Sequence, residues 1–176
     1  MGDVRGTVLE AGVGTGRNLQ YYHRDVTLTA MDLSPAMLRK AQKRVGSADC
    51  SIDFVTDDVC LMTSIPSAKY DWIISTFLCC VMPEEVQPLA LEQFARVLKP
   101  GGRFRLLEML YSNIPSIRKR QERFARFVEK VYGARFDRNT LKLVELTPGL
   151  QVTGTKFLKD DTYLLIEGTK PAATME

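Results

Sequence analysis

Short apolar runs alternate with amphipathic segments along most of the chain, and this alternation predicts strands that alternate with helices. Strands are expected at 7–11, 27–32, 52–58, 70–76, 103–110, 152–159 and 162–170. The run YDWIIST at 70–76 is more continuously apolar, as is typical of a central strand in a parallel sheet. The last two strands are too close together for a crossover helix, so we expect them to be antiparallel.

Helices are expected between most of these strands, at 17–23, 35–45, 83–98, 115–132 and 138–146. Ser34 and Pro35 favour a helix start as N-cap and first helical residue. The run KPGG at 99–102 predicts a sharp stop for the helix before it. The alternation as a whole predicts an α/β fold with helices on both faces of a mostly parallel sheet. In such sheets, ligands bind outside the carboxyl ends of the strands.

Size and composition favour one globular domain. The 176 residues are expected to form a single domain over 1–170, followed by a loose tail at 171–176. No run approaches the ~20 apolar residues that span a bilayer. The cysteines Cys50, Cys60, Cys79 and Cys80 form no C-x-x-C pair, and the chain has one histidine. We therefore expect no metal site, and the pattern favours reduced thiols in a cytoplasmic protein.

Positive charge is concentrated in one segment. Residues 115–135 contain seven Lys or Arg against two Glu, a net charge of +5, whereas the whole chain carries +3. The remainder is therefore slightly acidic, and any attraction to an anionic partner belongs to this segment.

The stretch TVLEAGVGTGRN at 7–18 carries the candidate chemistry. A predicted strand breaks into a turn with Gly12, Gly14 and Gly16, which let the backbone bend tightly and let a ligand approach closely. The dinucleotide fingerprint would need a third glycine at position 17, where the chain has Arg17. Glu10 lies just before the turn, where its carboxylate disfavours pyrophosphate and favours a cationic ligand.

Two further strands also end in acids, Asp32 and Asp58. The carboxyl ends of parallel strands meet at one edge of the sheet, so these carboxylates and that of Glu10 are expected to face one ligand. Taken singly, an acid at a strand end is as often a helix cap.

These motifs, in this order and along essentially the whole chain, resemble the class I S-adenosylmethionine (SAM) methyltransferases. The motifs are E-x-G-x-G-x-G at 10–16, DLSPAML at 32–38, DDV at 57–59, DWIISTF at 71–77 and RVLKPGG at 96–102. The resemblance implies a Rossmann-like seven-stranded sheet of order 3-2-1-4-5-7-6 in which only strand 7 is antiparallel. It also implies SAM as the cofactor and S-adenosylhomocysteine as its product, with no metal.

The resemblance assigns cofactor roles to individual residues. Asp32 would bind both ribose hydroxyls, since a carboxylate offers two acceptor oxygens to a diol. Asp58 would accept from the adenine amino group. The full set of expected cofactor-binding residues is Glu10, Gly12, Gly14, Gly16, Asn18, Asp32, Leu33, Met37, Asp58, Val59, Thr76 and Phe77.

No catalytic triad is expected, because methyl transfer is an in-line displacement in which the cofactor carries the hard chemistry. Glu108, at the end of the fifth strand, is the best candidate for a base or an orienting group, and Tyr111 is a weaker one. A capping or salt-bridging role for Glu108 is equally compatible with the sequence.

The local spelling is most similar to two subgroups, the ubiquinone/menaquinone C-methyltransferases and the bacterial phosphatidylethanolamine N-methyltransferases. This similarity implies a small-molecule or lipid-like acceptor. Helix 115–132 has an apolar stripe flanked by basic residues. It suits a lid helix with a solvated basic face, which we favour, or peripheral contact with an anionic membrane. No nucleic-acid module accompanies the charge.

One departure from the family is visible before the first strand. Members usually have one or two helices there that cover the acceptor site, and this sequence has about six residues. Either the chain is a truncated piece of a longer protein, or the segment 112–146 covers the site alone. A non-catalytic methyltransferase-like domain that binds SAM or a partner is the alternative to an active enzyme.

Overall fold

Seven strands form the sheet that positions the site in the computed structural model, which describes residues 2–172. The strands are β1 Gly6–Ala11, β2 Val26–Asp32, β3 Ser51–Thr56, β4 Tyr70–Thr76, β5 Leu98–Met109, β6 Gln151–Lys159 and β7 Tyr163–Thr169. Their order is β3-β2-β1-β4-β5-β7-β6, and β7 is antiparallel to both of its neighbours. The other pairs are parallel, so the predicted order and direction of the strands are confirmed.

Four α-helices connect or flank the strands: α1 Pro35–Gln42, α2 Gln87–Val97, α3 Pro115–Tyr132 and α4 Thr140–Leu146. The Ser34 hydroxyl accepts from the Met37 N–H at 3.4 Å, which confirms the predicted N-cap of α1. Gly133 directly follows α3 and caps it with a left-handed backbone, a conformation that glycine adopts without steric cost. In the described part of the chain, none of the helices is long and apolar enough to cross a membrane.

Four of the five predicted helices are shorter in the structure: α1 and α4 lose two or three residues, and the other two lose more. The helix expected at 17–23 is only a 3-10 turn over Leu19–Tyr21. The helix expected at 83–98 begins with a 3-10 turn over Glu84–Val86, and α2 starts only at Gln87. Pro88 sets this start, because proline fits the first turn of a helix, where its missing N–H costs nothing.

Two strand boundaries differ from the prediction by more than one residue. α2 ends before the run 99–102 as expected, but this run is extended and belongs to β5, next to a bulge opposite Tyr70 and Trp72. β3 ends at Thr56, so Asp57 and Asp58 lie just beyond the strand.

The core lies on both faces of the sheet, because neighbouring residues of a strand point to opposite faces. Leu9 and Ile73 belong to one buried cluster, with Phe94 of α2. Val8 and Ile74 belong to the other, with Ala41 of α1. Helices therefore cover both faces, as predicted, and the carboxyl ends of β1, β2 and β4 are left to form a cleft.

Candidate functional site

A cleft of about 710 Å³ opens at the carboxyl ends of β1, β2 and β4. Nine of the residues predicted to bind a cofactor line it: Gly12, Gly14, Asp32, Leu33, Met37, Asp58, Val59, Thr76 and Phe77. The strand order brings them together although they come from four separate parts of the sequence. A cleft of this size can enclose a ligand as large as a nucleoside derivative.

The glycine turn follows β1 and crosses over the end of β2. The N–H groups of Gly12 and Val13 both donate to the Met31 carbonyl at 2.9 Å. Gly12, Gly14 and Gly16 all have positive φ angles, of 75°, 55° and 75°. A Cβ at Gly12 would lie 2.9 Å from the Leu78 side chain, and one at Gly16 would lie 2.9 Å from Ala41. At Gly14 nothing lies within 4 Å, so that glycine leaves open space in the cleft.

Asp32 connects this turn to the start of α1. Its Oδ2 accepts from the Gly14 N–H at 2.8 Å, and its Oδ1 accepts from the Ser34 N–H at 2.9 Å. The two bonds fix the carboxylate at the wall of the cleft. A carboxylate has about four lone-pair sites, so acceptor capacity is left for a ligand diol.

The two acids after β3 have different surroundings. The Asp57 carboxylate holds its own loop, since it accepts from the N–H groups of Asp58 at 2.8 Å and Ser64 at 3.0 Å. Asp58 accepts from the Cys60 N–H at 2.8 Å and lines the cleft beside Val59. Asp58 is therefore the acid with more acceptor capacity left for a ligand.

The walls of the cleft are apolar. Leu33 is 67% exposed and Met37 37% exposed, so two large apolar side chains on this wall are open to a ligand. Sequence reasoning missed the opposite wall, which is formed by Leu78, Val81, Met82, Pro83 and Val86. These residues belong to short turns after β4 and carry no motif. Their position directly after the carboxyl end of a central strand was the one available signal.

The other three predicted cofactor residues, Glu10, Gly16 and Asn18, do not line the cleft and instead lie beneath the glycine turn. Glu10 is 1% exposed, and its Oε1 accepts from the Asn18 Nδ2 at 2.7 Å. The Asn18 amide also donates to the Thr76 hydroxyl at 3.1 Å, so it links β1 to β4. Burial raises the pKa of Glu10 to about 7. Gly16 packs against Ala41 of α1.

Glu108 is also buried, at 1% exposed, and does not line the cleft. It accepts from the N–H groups of Cys79 at 3.0 Å and Cys80 at 2.8 Å, and so caps the turn after β4. Burial raises the pKa of Glu108 to about 7. Burial and the neighbouring Glu108 also raise the pKa values of both thiols well above their usual range, so the thiols stay protonated.

Tyr111 lies outside the cleft as well. The Arg118 guanidinium of α3 lies 4.0 Å from the centre of its ring, and the Phe136 ring packs against it at 5.3 Å. Its backbone N–H donates to the Phe136 carbonyl at 2.9 Å. These contacts join the end of β5 to the segment that contains α3.

Comparison with known proteins decides the family. Residues 8–102, more than half of the chain, match a family model described as a methyltransferase domain. The chain belongs to this methyltransferase family. The match contains the glycine turn, Asp32, Asp58 and the run RVLKPGG, so the predicted class I SAM-dependent family is confirmed.

Curated relatives agree with both predicted subgroups. The methyltransferase is 32% identical over 98 residues to a phosphatidylethanolamine N-methyltransferase of Cereibacter sphaeroides. The aligned region covers 55% of this chain and 47% of that protein. It is 27% identical over 109 residues to a demethylmenaquinone methyltransferase of Listeria welshimeri, covering 62% of this chain and 45% of that one. The chain thus spans about half the length of these relatives.

Solved structures agree on the fold. The solved structure of a protein described as a methyltransferase, from Bacillus halodurans C-125, superposes with a TM-score of 0.77 at 15% identity, covering 97% of this chain and 96% of that one. SAM is the cofactor of the family, and the cleft fits it on its own chemistry: an open glycine turn, two strand-end carboxylates and exposed apolar walls.

Proposed function

We propose that this methyltransferase binds SAM in the 710 Å³ cleft and transfers its methyl group to a small-molecule or lipid-like acceptor. The observation that carries the proposal is the meeting of Gly14, Asp32 and Asp58 in one cleft. Each supplies what one part of SAM needs: room for the methionine portion, acceptors for the ribose diol and an acceptor for the adenine amino group.

The apolar walls complete this arrangement. Leu33 and Met37 would cover one face of the adenine, which explains why two large apolar side chains are exposed here. Thr76 and Phe77 lie at the end of β4, where the sulfonium would be held.

The chain's own part in the reaction is alignment and exclusion of water. Bound SAM would supply an electrophilic methyl group, and transfer needs the acceptor atom in line with that methyl and about 3–3.5 Å away. Of the roles predicted for Glu108, its contacts favour capping over that of a base, because both oxygens hold the turn at Cys79 and Cys80. Tyr111 joins the end of β5 to the segment that contains α3, and would therefore act by positioning that segment.

For the acceptor we favour a quinone or phospholipid type, because the two curated relatives carry those substrates in their names. The test is transfer of labelled methyl from SAM to phosphatidylethanolamine vesicles, to a demethylated quinol and to a small thiol. Product with either of the first two, and none with the thiol, supports the proposal. No product with any of them, despite binding of S-adenosylhomocysteine, favours the non-catalytic alternative.

For α3 we propose peripheral contact with an anionic lipid surface. None of its residues is fully buried, and Phe124, Phe127 and Val131 are each more than half exposed on one side of the helix. Basic side chains lie along one edge of this strip: Lys119, Arg123, Arg126 and Lys130. An apolar strip beside a basic row fits the boundary between acyl chains and anionic headgroups.

A further inference from the structure

A second cavity of about 400 Å³ lies beyond the cofactor cleft, between α3, the end of β5 and the β6–β7 hairpin. Its walls are largely apolar or aromatic: Met109, Ile117, Val128, Tyr132, Ala134, Phe136 and Tyr163. Its size is within the range of small-molecule sites. The inner side of α3 therefore closes a cavity, while its outer side is exposed.

One aromatic pair joins the lining of this cavity to the lining of the cofactor cleft. Phe77 lines the cleft, Tyr163 lines the second cavity, and their ring centres are 5.3 Å apart. Phe77 has a φ angle of 58°, a left-handed conformation that strains a bulky residue. Its N–H donates to the Leu107 carbonyl at 2.7 Å, which holds it there. Such strain is common where a side chain must be aimed at a functional site.

The charged groups of the second cavity are three. Arg120 of α3 and Lys159 of β6 are cationic, and Asp160 is anionic, so their net charge is +1. Within residues 2–172, neither Arg120 nor Lys159 forms an ion pair, unlike Arg118, which pairs with Glu122. The ammonium of Lys159 lies 5.9 Å from the centre of the Tyr163 ring, close to the aromatic pair.

We propose that the second cavity is the acceptor site, and that it takes an amphiphile with an apolar body and a single anionic group, such as a phosphate monoester or phosphodiester. The inference rests on the proposed function. Arg120 and Lys159 would hold the anionic group, the apolar walls would hold the body, and the Phe77–Tyr163 pair would direct the acceptor atom towards the cofactor.

The first experiment is calorimetric titration of the protein, loaded with S-adenosylhomocysteine, with octyl phosphate, 1-octanol and inorganic phosphate. Octyl phosphate is expected to bind at least about tenfold more tightly than either other probe, since only it uses both the apolar walls and the cations. Equal affinity for 1-octanol would contradict the proposed recognition of an anionic group. Equal affinity for inorganic phosphate would contradict the proposed recognition of an apolar body.

Paired variants locate the site. Replacing both cations (Arg120→Gln with Lys159→Gln) is expected to weaken the binding of octyl phosphate by about tenfold or more. The same charge change at Lys43 and Arg44, exposed residues after α1, is the control and should change nothing. Val128→Phe should fill the cavity and abolish binding, whereas Val45→Phe, at a residue 39% exposed elsewhere, should not.

The failures of the two proposals are distinguishable. Octyl phosphate binding that survives both Val128→Phe and the double cation variant would overturn this inference, even with S-adenosylhomocysteine bound normally. Absence of S-adenosylhomocysteine binding in the unmodified protein would instead contradict the proposed function.

Discussion

Gly14 and Gly16 have similar backbone angles but different surroundings, and this separates their roles at the scale of single residues. A Cβ at Gly16 would overlap Ala41, whereas one at Gly14 would point into open space in the cleft. Gly16→Ala is therefore expected to lower the free energy of unfolding by roughly 1–3 kcal/mol or more, from backbone strain plus overlap. Gly14→Ala bears only the strain, and should lose more cofactor affinity.

Urea denaturation and titration with S-adenosylhomocysteine, applied to both variants, check this. Equal loss of stability in the two, or a Gly14→Ala protein that binds as well as the unmodified one, would contradict the assignment.

Glu10 gives a prediction about pH. Burial raises its pKa from 4.5 to about 7 in the folded protein. Between these values the folded state keeps a proton that the unfolded state has released, so the free energy of unfolding falls as pH rises. Glu10→Gln cannot ionise, and should reduce this fall by up to about 1.4 kcal/mol per pH unit. Urea denaturation from pH about 5 to about 8 measures it. The same slope in both proteins would contradict the burial argument.

The sequence predicted acids at three strand ends but not how deeply each is buried. Asp32 is the last residue of β2, Asp58 follows β3, and both line the cleft, as their positions indicated. Glu10 lies within β1, one residue before its end, and points into the interior. Its Asn18 partner comes from a loop, and a contact between a strand and a loop has no periodicity to reveal it.

At the scale of elements, α3 has its predicted bounds, and in the structure Pro115 and Gly133 mark its two ends. The segments 17–23 and 83–98 were predicted too long, since apolar spacing cannot separate a 3-10 turn from an α-helix. The choice between a lid and a membrane helix was also left open by the sequence. In the structure α3 closes the second cavity on one side and exposes Phe124, Phe127 and Val131 on the other.

A vesicle experiment tests the exposed side of α3. The protein should co-sediment with vesicles that contain phosphatidylglycerol more than with phosphatidylcholine alone, and added salt should weaken the binding because it screens the basic row. Phe124→Ser with Phe127→Ser should lower binding. The control is Val45→Ser with Leu89→Ser, at two exposed apolar residues outside α3. Binding that does not depend on lipid charge, or that is unchanged when both phenylalanines are replaced, would contradict the proposed contact.

At the scale of the molecule, the topology was predictable because the alternation of strands and helices, together with the family motifs, allows few arrangements. Three features could not be predicted from the sequence: the apolar wall after β4, the second cavity and the aromatic pair between the two sites. Each arises from segments that touch only after the sheet has formed, such as the turns after β4 or the β6–β7 hairpin against α3.

The most direct test of the account is calorimetric titration with S-adenosylhomocysteine, with NAD as the control ligand. We predict a dissociation constant on the order of micromolar for the first and no binding of the second. Asp32→Asn should weaken binding by roughly ten- to hundredfold, because a charged acceptor for the ribose is lost. Asp53→Asn, on the exposed side of β3, should leave it unchanged. Binding of NAD instead, or undiminished affinity in Asp32→Asn, would contradict the cofactor site.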